Sequence, residues 1–264
     1  MYIKPGLLKN GCNRYLTTAE GIGKDIDLDV ELCILEPGDK AVWEEADKET
    51  ALLLFEGTLD WTAEGKTVRA SRKNPFDEAA CCLHICRGVK AEVAAVTHCE
   101  IYVQKTHNDR VFPAVFYRQE DVQVQKAGAK GELDGTMRRN IQTLFDYDNA
   151  PYSNMVLGEV MNFPGRWSSY PPHHHPQPEV YFYRFDKPQG FGCGFANGEL
   201  VETGHNGLLV ITSQFHSQVA APGYAMCYVW GIRHLDGDPW IKTRIDDEAH
   251  KWMLAPNPEI WKEK

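Results

Sequence analysis

No stretch of this 264-residue chain is apolar for long enough to cross a bilayer. Its first residues, MYIKPGLLKNGC, contain neither an apolar signal core nor a cleavage-site pattern. Basic charge is also short: 28 Lys and Arg face 37 Asp and Glu, a formal net charge of −9. With a pI near 5.6, that balance argues against nucleic acid as the main partner, because neutralising phosphates needs a basic surface. A local basic pocket for a small anion is compatible with it. Helical periodicity is weak throughout, DDEAHKWML near the C-terminus being the best local candidate. Low-complexity segments are absent.

Paired cysteines at ligand spacing are lacking as well. Cys82 and Cys86 find no second pair to complete a closed zinc knuckle. The eight cysteines (Cys12, Cys33, Cys81, Cys82, Cys86, Cys99, Cys193 and Cys227) are scattered, and the run AACCLHIC puts several in apolar surroundings, where a free thiol behaves as a small core residue. Without an export signal they read as reduced. These absences together predict a cytoplasmic protein with neither membrane nor nucleic-acid partners.

What the chain does contain is strands. DVELCILE, TALLLFEG, KTVRAS, AEVAAVT and CEIYVQK occupy the first half, and NMVLGEVMNF, EVYFYRF, GLLVIT and AMCYVWGI the second. They are short, rich in β-branched and aromatic residues, and divided by turn signals such as EPGD, EGT, NG and APGY. The pattern predicts an all-β protein, a sandwich or barrel. The polar, glycine-containing stretch YRQEDVQVQKAGAKGELDGTMRRN separates two halves of similar size. It suggests two copies of one barrel, over residues 1–118 and 141–264, joined by a connector at 119–140.

The most informative segment is GRWSSYPPHHHPQPEVYFYRF. In an extended strand, His173 and His175 share a face while His174 takes the other. Three residues, two of them proline, separate His175 from Glu179. A hairpin return is expected to bring Glu179 opposite the histidines. A fourth ligand, His216, follows the apolar strand in GLLVITSQFH. Three imidazoles and one carboxylate suit a divalent transition ion such as zinc, manganese or iron and leave room for a substrate. A solvated histidine-rich turn is the bland alternative, and the spaced glutamate with the later His216 argues against it.

HxH, three residues, Glu and a later His is the metal signature of the cupin superfamily. WSSYPPHHH, PEVYFYRF, QGFG and FHSQVAAPGYAMCYVWGI, with weaker likenesses in NPFDEAACCLHICRG and RRNIQTLF, resemble the 5-deoxy-glucuronate isomerase family of bacterial inositol catabolism. The resemblance covers nearly the whole chain and implies two cupin (double-stranded β-helix) barrels. The chain departs from the family pattern in TSQFH, where the family has a PxGxH element, in His174, where Lys is common, and in the short PQP between HxH and Glu179. LEPGDKAVWEEADKETALLLFEGTLDW resembles the corresponding hairpin of the first barrel, but no histidine precedes His84. The first barrel is therefore expected to bind no metal and to cover strand edges and the interface between the halves.

The resemblance implies an aldose–ketose isomerisation of a uronate, 5-deoxy-glucuronate to 2-deoxy-5-keto-gluconate. Such chemistry needs a general base, for which Glu179, Tyr181 and Tyr183 are candidates on the inward face of EVYFYRF. The substrate's carboxylate calls for a cationic clamp. Arg184, Arg139, Arg166 and Arg233 are near the motifs, with Arg184 and Arg233 favoured; Trp167, Tyr170 and Tyr228 are candidates for the sugar face. Rival readings are another cupin enzyme (a different uronate isomerase or an iron-dependent dioxygenase) and a non-catalytic, metal-stabilised sugar-binding protein. A homo-oligomer, a dimer first, is expected from exposed sheet edges.

Overall fold

The structure, a computed structural model, describes residues 1–263. The alternating segments form strands, among them Asp29–Leu35, Lys48–Ala63 and Cys99–His107 in the first half, and Met155–Asn162, Glu179–Phe185 and Met226–Arg233 in the second. Among the described residues the α-helix is confined to Gly21–Ile26. The predicted C-terminal helix is a 3₁₀ segment, Glu248–Leu254, whose first turn is capped by the Asp247 carboxylate accepting from the Ala249 N–H.

The first half is a nine-stranded sheet folded on itself, knitted together by the sixteen-residue strand Lys48–Ala63. In the second half the equivalent path is interrupted between Phe185 and Phe191, at DKPQG, and two sheets result. One has seven strands with Glu179–Phe185, Met226–Arg233 and Met155–Asn162 at its centre. The other has five and contains Trp167–His174 beside His216–Ala220. The edge strands are shared out unexpectedly. Val115–Tyr117 pairs with Cys82–His84 in the first half, whereas Tyr2–Ile3, from the start of the chain, pairs with Leu208–Leu209 in the second. Part of the polar stretch between the halves, Val124–Ala127, pairs with Arg139–Gln142 at the other edge of the seven-stranded sheet.

Alternation sorts the side chains into three cores. Leu52, Leu54, Trp61 and Val103 fill the first barrel; Tyr181, Tyr183, Tyr228 and Trp230 belong to the second. Between the barrels, Leu53, Phe55 and Tyr102 of the first half meet Leu157, Val180 and Phe182 of the second. Phe55 stacks on Phe182 with ring centroids 5.7 Å apart. Cys82 is fully buried in this central cluster, and Cys81 and Cys33 lie in the core of the first barrel. Arg72 also reaches across the boundary, pairing with Glu159 through two hydrogen bonds of 2.6 and 2.9 Å.

Two imidazoles outside the candidate site make the fold sensitive to acid. His205 Nδ1 accepts the Phe185 N–H at 3.0 Å, and His234 Nδ1 accepts the Trp240 N–H at 2.9 Å. Burial pushes each down to about 4, with neighbouring arginines adding to the effect. The unfolded chain, with histidines near 6.5, therefore takes up protons first as pH falls. Stability is full above about pH 6.5 and is lost progressively down to about pH 4. After allowing for partial solvent access, about 1–2 kcal/mol per histidine is expected to go. Thermal melts at pH 7 and pH 4.5 should differ by several degrees. His234→Asn, whose Oδ1 can accept the same N–H, should flatten part of that slope.

Candidate metal centre

The donor residues come from opposite walls of the second barrel. His173 lies near the end of Trp167–His174, directly across from His216, the first residue of the adjacent strand. Glu179 opens Glu179–Phe185, which belongs to the seven-stranded sheet and pairs with Met226–Arg233 and with Leu208–Ile211. The expected hairpin is thus absent: Glu179 meets the histidines across the barrel, because HPQP carries the chain from one sheet to the other. The parity of HxH holds. His173 and His175 face the barrel, and His174 turns away onto Phe215, ring centroids 4.7 Å apart.

The hydrogen-bond pattern decides what this cluster wants. His175 Nδ1 is 2.9 Å from the Gln177 carbonyl, and His216 Nδ1 is 3.0 Å from that of Gln214. A carbonyl only accepts, so each imidazole carries its proton on Nδ1 and presents a bare Nε2. Both Nε2 atoms lie 3.3 Å from the same oxygen, Glu179 Oε2. Three lone-pair donors then face one another with no proton between them, all nearly buried, and the His216 Nε2 has no hydrogen-bond partner. Burial pushes the His216 imidazole further from protonation. A cation other than a proton is what such a set fits. The donor atoms of His175, Glu179 and His216 lie within 4.8 Å of one another. His173 stands beside them, its ring 4.3 Å from that of His216 and its Nδ1 3.3 Å from the Ser169 carbonyl.

His216 borders a neighbouring groove, whereas His173, His175 and Glu179 border a pocket of about 240 Å³. Alternate residues of four strands line it: Glu179 and Tyr181; Tyr228, Trp230 and Ile232; Val160; Arg139, Ile141 and Thr143. Tyr181 shares a hydrogen bond of 3.1 Å with Ser169, and Tyr228 one of 2.7 Å with Ser168. Burial pushes the Tyr228 phenol up to about 12 and that of Tyr181 well above its usual value, so both stay protonated near neutrality. A segment beyond the last barrel strand adds Trp240, Lys242 and Arg244 to the lining.

Several sequence-predicted residues lie elsewhere. Tyr183 shares the inward face of Tyr181 but sits deeper, its hydroxyl donating to Gln218 Oε1. Arg184 points the other way, between the barrels, where it binds Glu100 and Asn206 and lies over the Phe55 ring. Arg233 also serves that boundary, its Nε 2.9 Å from Asp27. Trp167 and Tyr170 line a separate aromatic groove with Phe195 and Phe215. The backbone irregularity between Ser168 and His173 breaks the alternation, so Trp167 does not share the face of His173. Arg166 is not among the residues lining the pocket. Lys242, Arg244, Trp230 and Trp240 were not anticipated.

Residues 4–253 match the model of the KduI/IolB family. The chain belongs to that family. KduI/IolB relatives include the 5-deoxy-glucuronate isomerase of Geobacillus kaustophilus, 23% identical over 90% of this chain and 89% of the relative. The Bacillus subtilis protein of the same name is 22% identical over 62% of this chain, a match that spans 63% of the relative. Among solved structures, an IolB-like protein from Salmonella typhimurium superposes with a TM-score of 0.84 at 18% identity, over 94% of this chain and 97% of the other. Two cupin-type barrels in one chain are thus the KduI/IolB fold seen here. No helix among the described residues is long and apolar enough to cross a membrane.

Proposed function

We propose that this chain is a metal-dependent aldose–ketose isomerase that converts 5-deoxy-glucuronate to 2-deoxy-5-keto-gluconate, with His173, His175, Glu179 and His216 holding one divalent transition ion. The observation that carries the reading is the convergence of two bare Nε2 atoms on one carboxylate oxygen, inside a polar pocket, in a family whose relatives bear that isomerase name. Nitrogen and oxygen donors suit zinc, manganese or iron. When bound, such an ion supplies positive charge against the oxygens that become negative as the proton beside the carbonyl is removed.

The chain's own groups divide the remaining work. Glu179 is the pocket's one carboxylate among the described lining residues, and its Oε2 is the oxygen nearest to both histidines. As the lining carboxylate, with Oε2 turned to the histidines, Glu179 is assigned to carry the proton from one carbon to the next through Oε1, a transfer typically worth ~10²–10⁴-fold in rate. The protonated hydroxyls of Tyr181 and Tyr228, steadied by Ser169 and Ser168, serve as donors to substrate oxygens rather than as bases. Trp230, Ile232 and Trp240 supply the apolar part of the pocket wall.

Metal-loaded protein incubated anaerobically with 5-deoxy-glucuronate in D₂O should form the keto acid and take up one deuterium on the carbon that gains the proton, both read by NMR. A requirement for oxygen would retire the isomerase in favour of a dioxygenase. Turnover of a neighbouring uronate but not this one would keep the reaction and change the substrate. Metal binding without turnover of any uronate would leave a binding protein.

A further inference from the structure

We infer that Arg139 binds the carboxylate end of the ligand and makes this pocket selective for sugar acids over neutral sugars. Three cationic side chains line the pocket, and two of them already have counter-charges. Lys242 is paired with Asp148, with Asp146 at 3.4 Å. Arg244 holds Asp246 through Nε at 2.6 Å and donates from Nη2 to the Pro171 carbonyl at 2.8 Å. Arg139 makes a single hydrogen bond, Nη1 to the Met137 carbonyl at 2.8 Å. Among the described residues no carboxylate pairs with it.

Its placement is built into the sheet. Arg139, Ile141 and Thr143 alternate onto the pocket face of one strand. Burial disfavours the charge of Arg139, and the neighbouring Arg244 adds to that effect. A partly desolvated guanidinium without a counter-charge is an unfavourable arrangement that a bound carboxylate relieves, and its planar fork matches two carboxylate oxygens.

Strand register also gives the pocket a direction. Glu179 is level with Ile232 and Val156. Tyr181 is level with Trp230, Gly158 and Thr143. Arg139 is level with Asn162, at the far end of the same strand. Metal donors therefore stand at one end, tyrosine hydroxyls between, and the guanidinium at the other. The Trp230 Nε1, buried without a partner, lies along this wall as a further donor. The order fits a linear sugar acid whose carbonyl end meets the donors and whose carboxylate meets Arg139.

The inference rests on the isomerase reading only for turnover; charge selectivity is measured separately. Binding of D-glucuronate and of D-glucose to the metal-loaded full chain is compared by ligand-observed NMR, for wild type, Arg139→Gln and Arg139→Lys. Thermal melts confirm that each variant is folded. Wild type should prefer the acid by about 10²-fold, Arg139→Gln should abolish the preference, and Arg139→Lys should restore part of it. On 5-deoxy-glucuronate, Arg139→Gln should raise KM by a similar factor with a smaller change in kcat. Arg139-dependent preference for the acid with no turnover by wild type would sink the isomerase reading and keep this one. An unchanged preference in folded Arg139→Gln would overturn the inference, as would a full loss in Arg244→Gln with Arg139→Gln unaffected.

Discussion

His216→Ala is expected to bind zinc or manganese at least about 10²-fold more weakly than wild type and to lose turnover by about 10³-fold or more, the equivalent of several kcal/mol at the reacting centre. Glu179→Gln, which keeps the shape and removes the charge, should do the same. The reason is the shared oxygen: both bare Nε2 atoms sit 3.3 Å from Glu179 Oε2, so His216→Ala removes one of the three convergent donors and Glu179→Gln removes the charge on which both nitrogens converge. Because an ion that binds only the folded chain stabilises it, chelation should lower the melting temperature of wild type. In His216→Ala it should have no effect. Elemental analysis, melts with and without chelator and the NMR assay check all three readouts. A variant that still holds stoichiometric metal and melts lower on chelation would show that the ion binds elsewhere. His173→Ala, beside the three convergent donors, should weaken binding less than His216→Ala.

The second large effect concerns stability and lies far from the pocket. Glu159→Gln is expected to cost about 3–5 kcal/mol, because it strands the Arg72 guanidinium in the boundary between the barrels. Both side chains are fully buried. Arg72 also donates to the Leu54 and Glu78 carbonyls, so it cannot swing out to water without breaking four hydrogen bonds. Burial opposes its charge, yet the Glu159 carboxylate more than offsets that and holds the guanidinium firmly protonated. At roughly 2–4 °C per kcal/mol for a chain of this size, the melting temperature should fall by about 6–20 °C. Urea unfolding of both single variants and of Arg72→Met/Glu159→Leu completes the test. The apolar pair should recover most of the loss, since ion pairs this deep gain little over well-packed hydrophobes. A loss below about 1 kcal/mol in Glu159→Gln would mean that the buried charge finds another partner.

How much of this was legible beforehand depends on whether a residue's position follows from local backbone period. Residue type and turn signals predicted nine of the strands, and alternation predicted the shared face of His173 and His175 and the inward turn of Tyr181. The same alternation, applied consistently, puts Arg184 on the outer face of its strand, where it is found. It also puts Arg139 on the face of Ile141 and Thr143. The preference for Arg184 came from nearness in sequence, which carries no information about facing. Trp167 was misplaced for a different reason, a break in register that the residue types do not announce. The crossing of Glu179 to the opposite sheet, and the arrival of Trp240, Lys242 and Arg244 at the pocket, are set by tertiary packing of irregular segments. No period could reveal them.

The strand Tyr2–Ile3 has a consequence for how the halves depend on each other. It covers the Leu208–Ile211 edge of the barrel that holds the candidate metal donors, although about three quarters of the chain lies between them. A fragment beginning at the connector would retain all four donor residues and yet display a bare row of backbone amides and carbonyls along Leu208, Leu209 and Val210. Such a row invites the matching segment of any neighbouring molecule. Cutting this protein in two would therefore produce not a minimal enzyme but a seed for strand exchange.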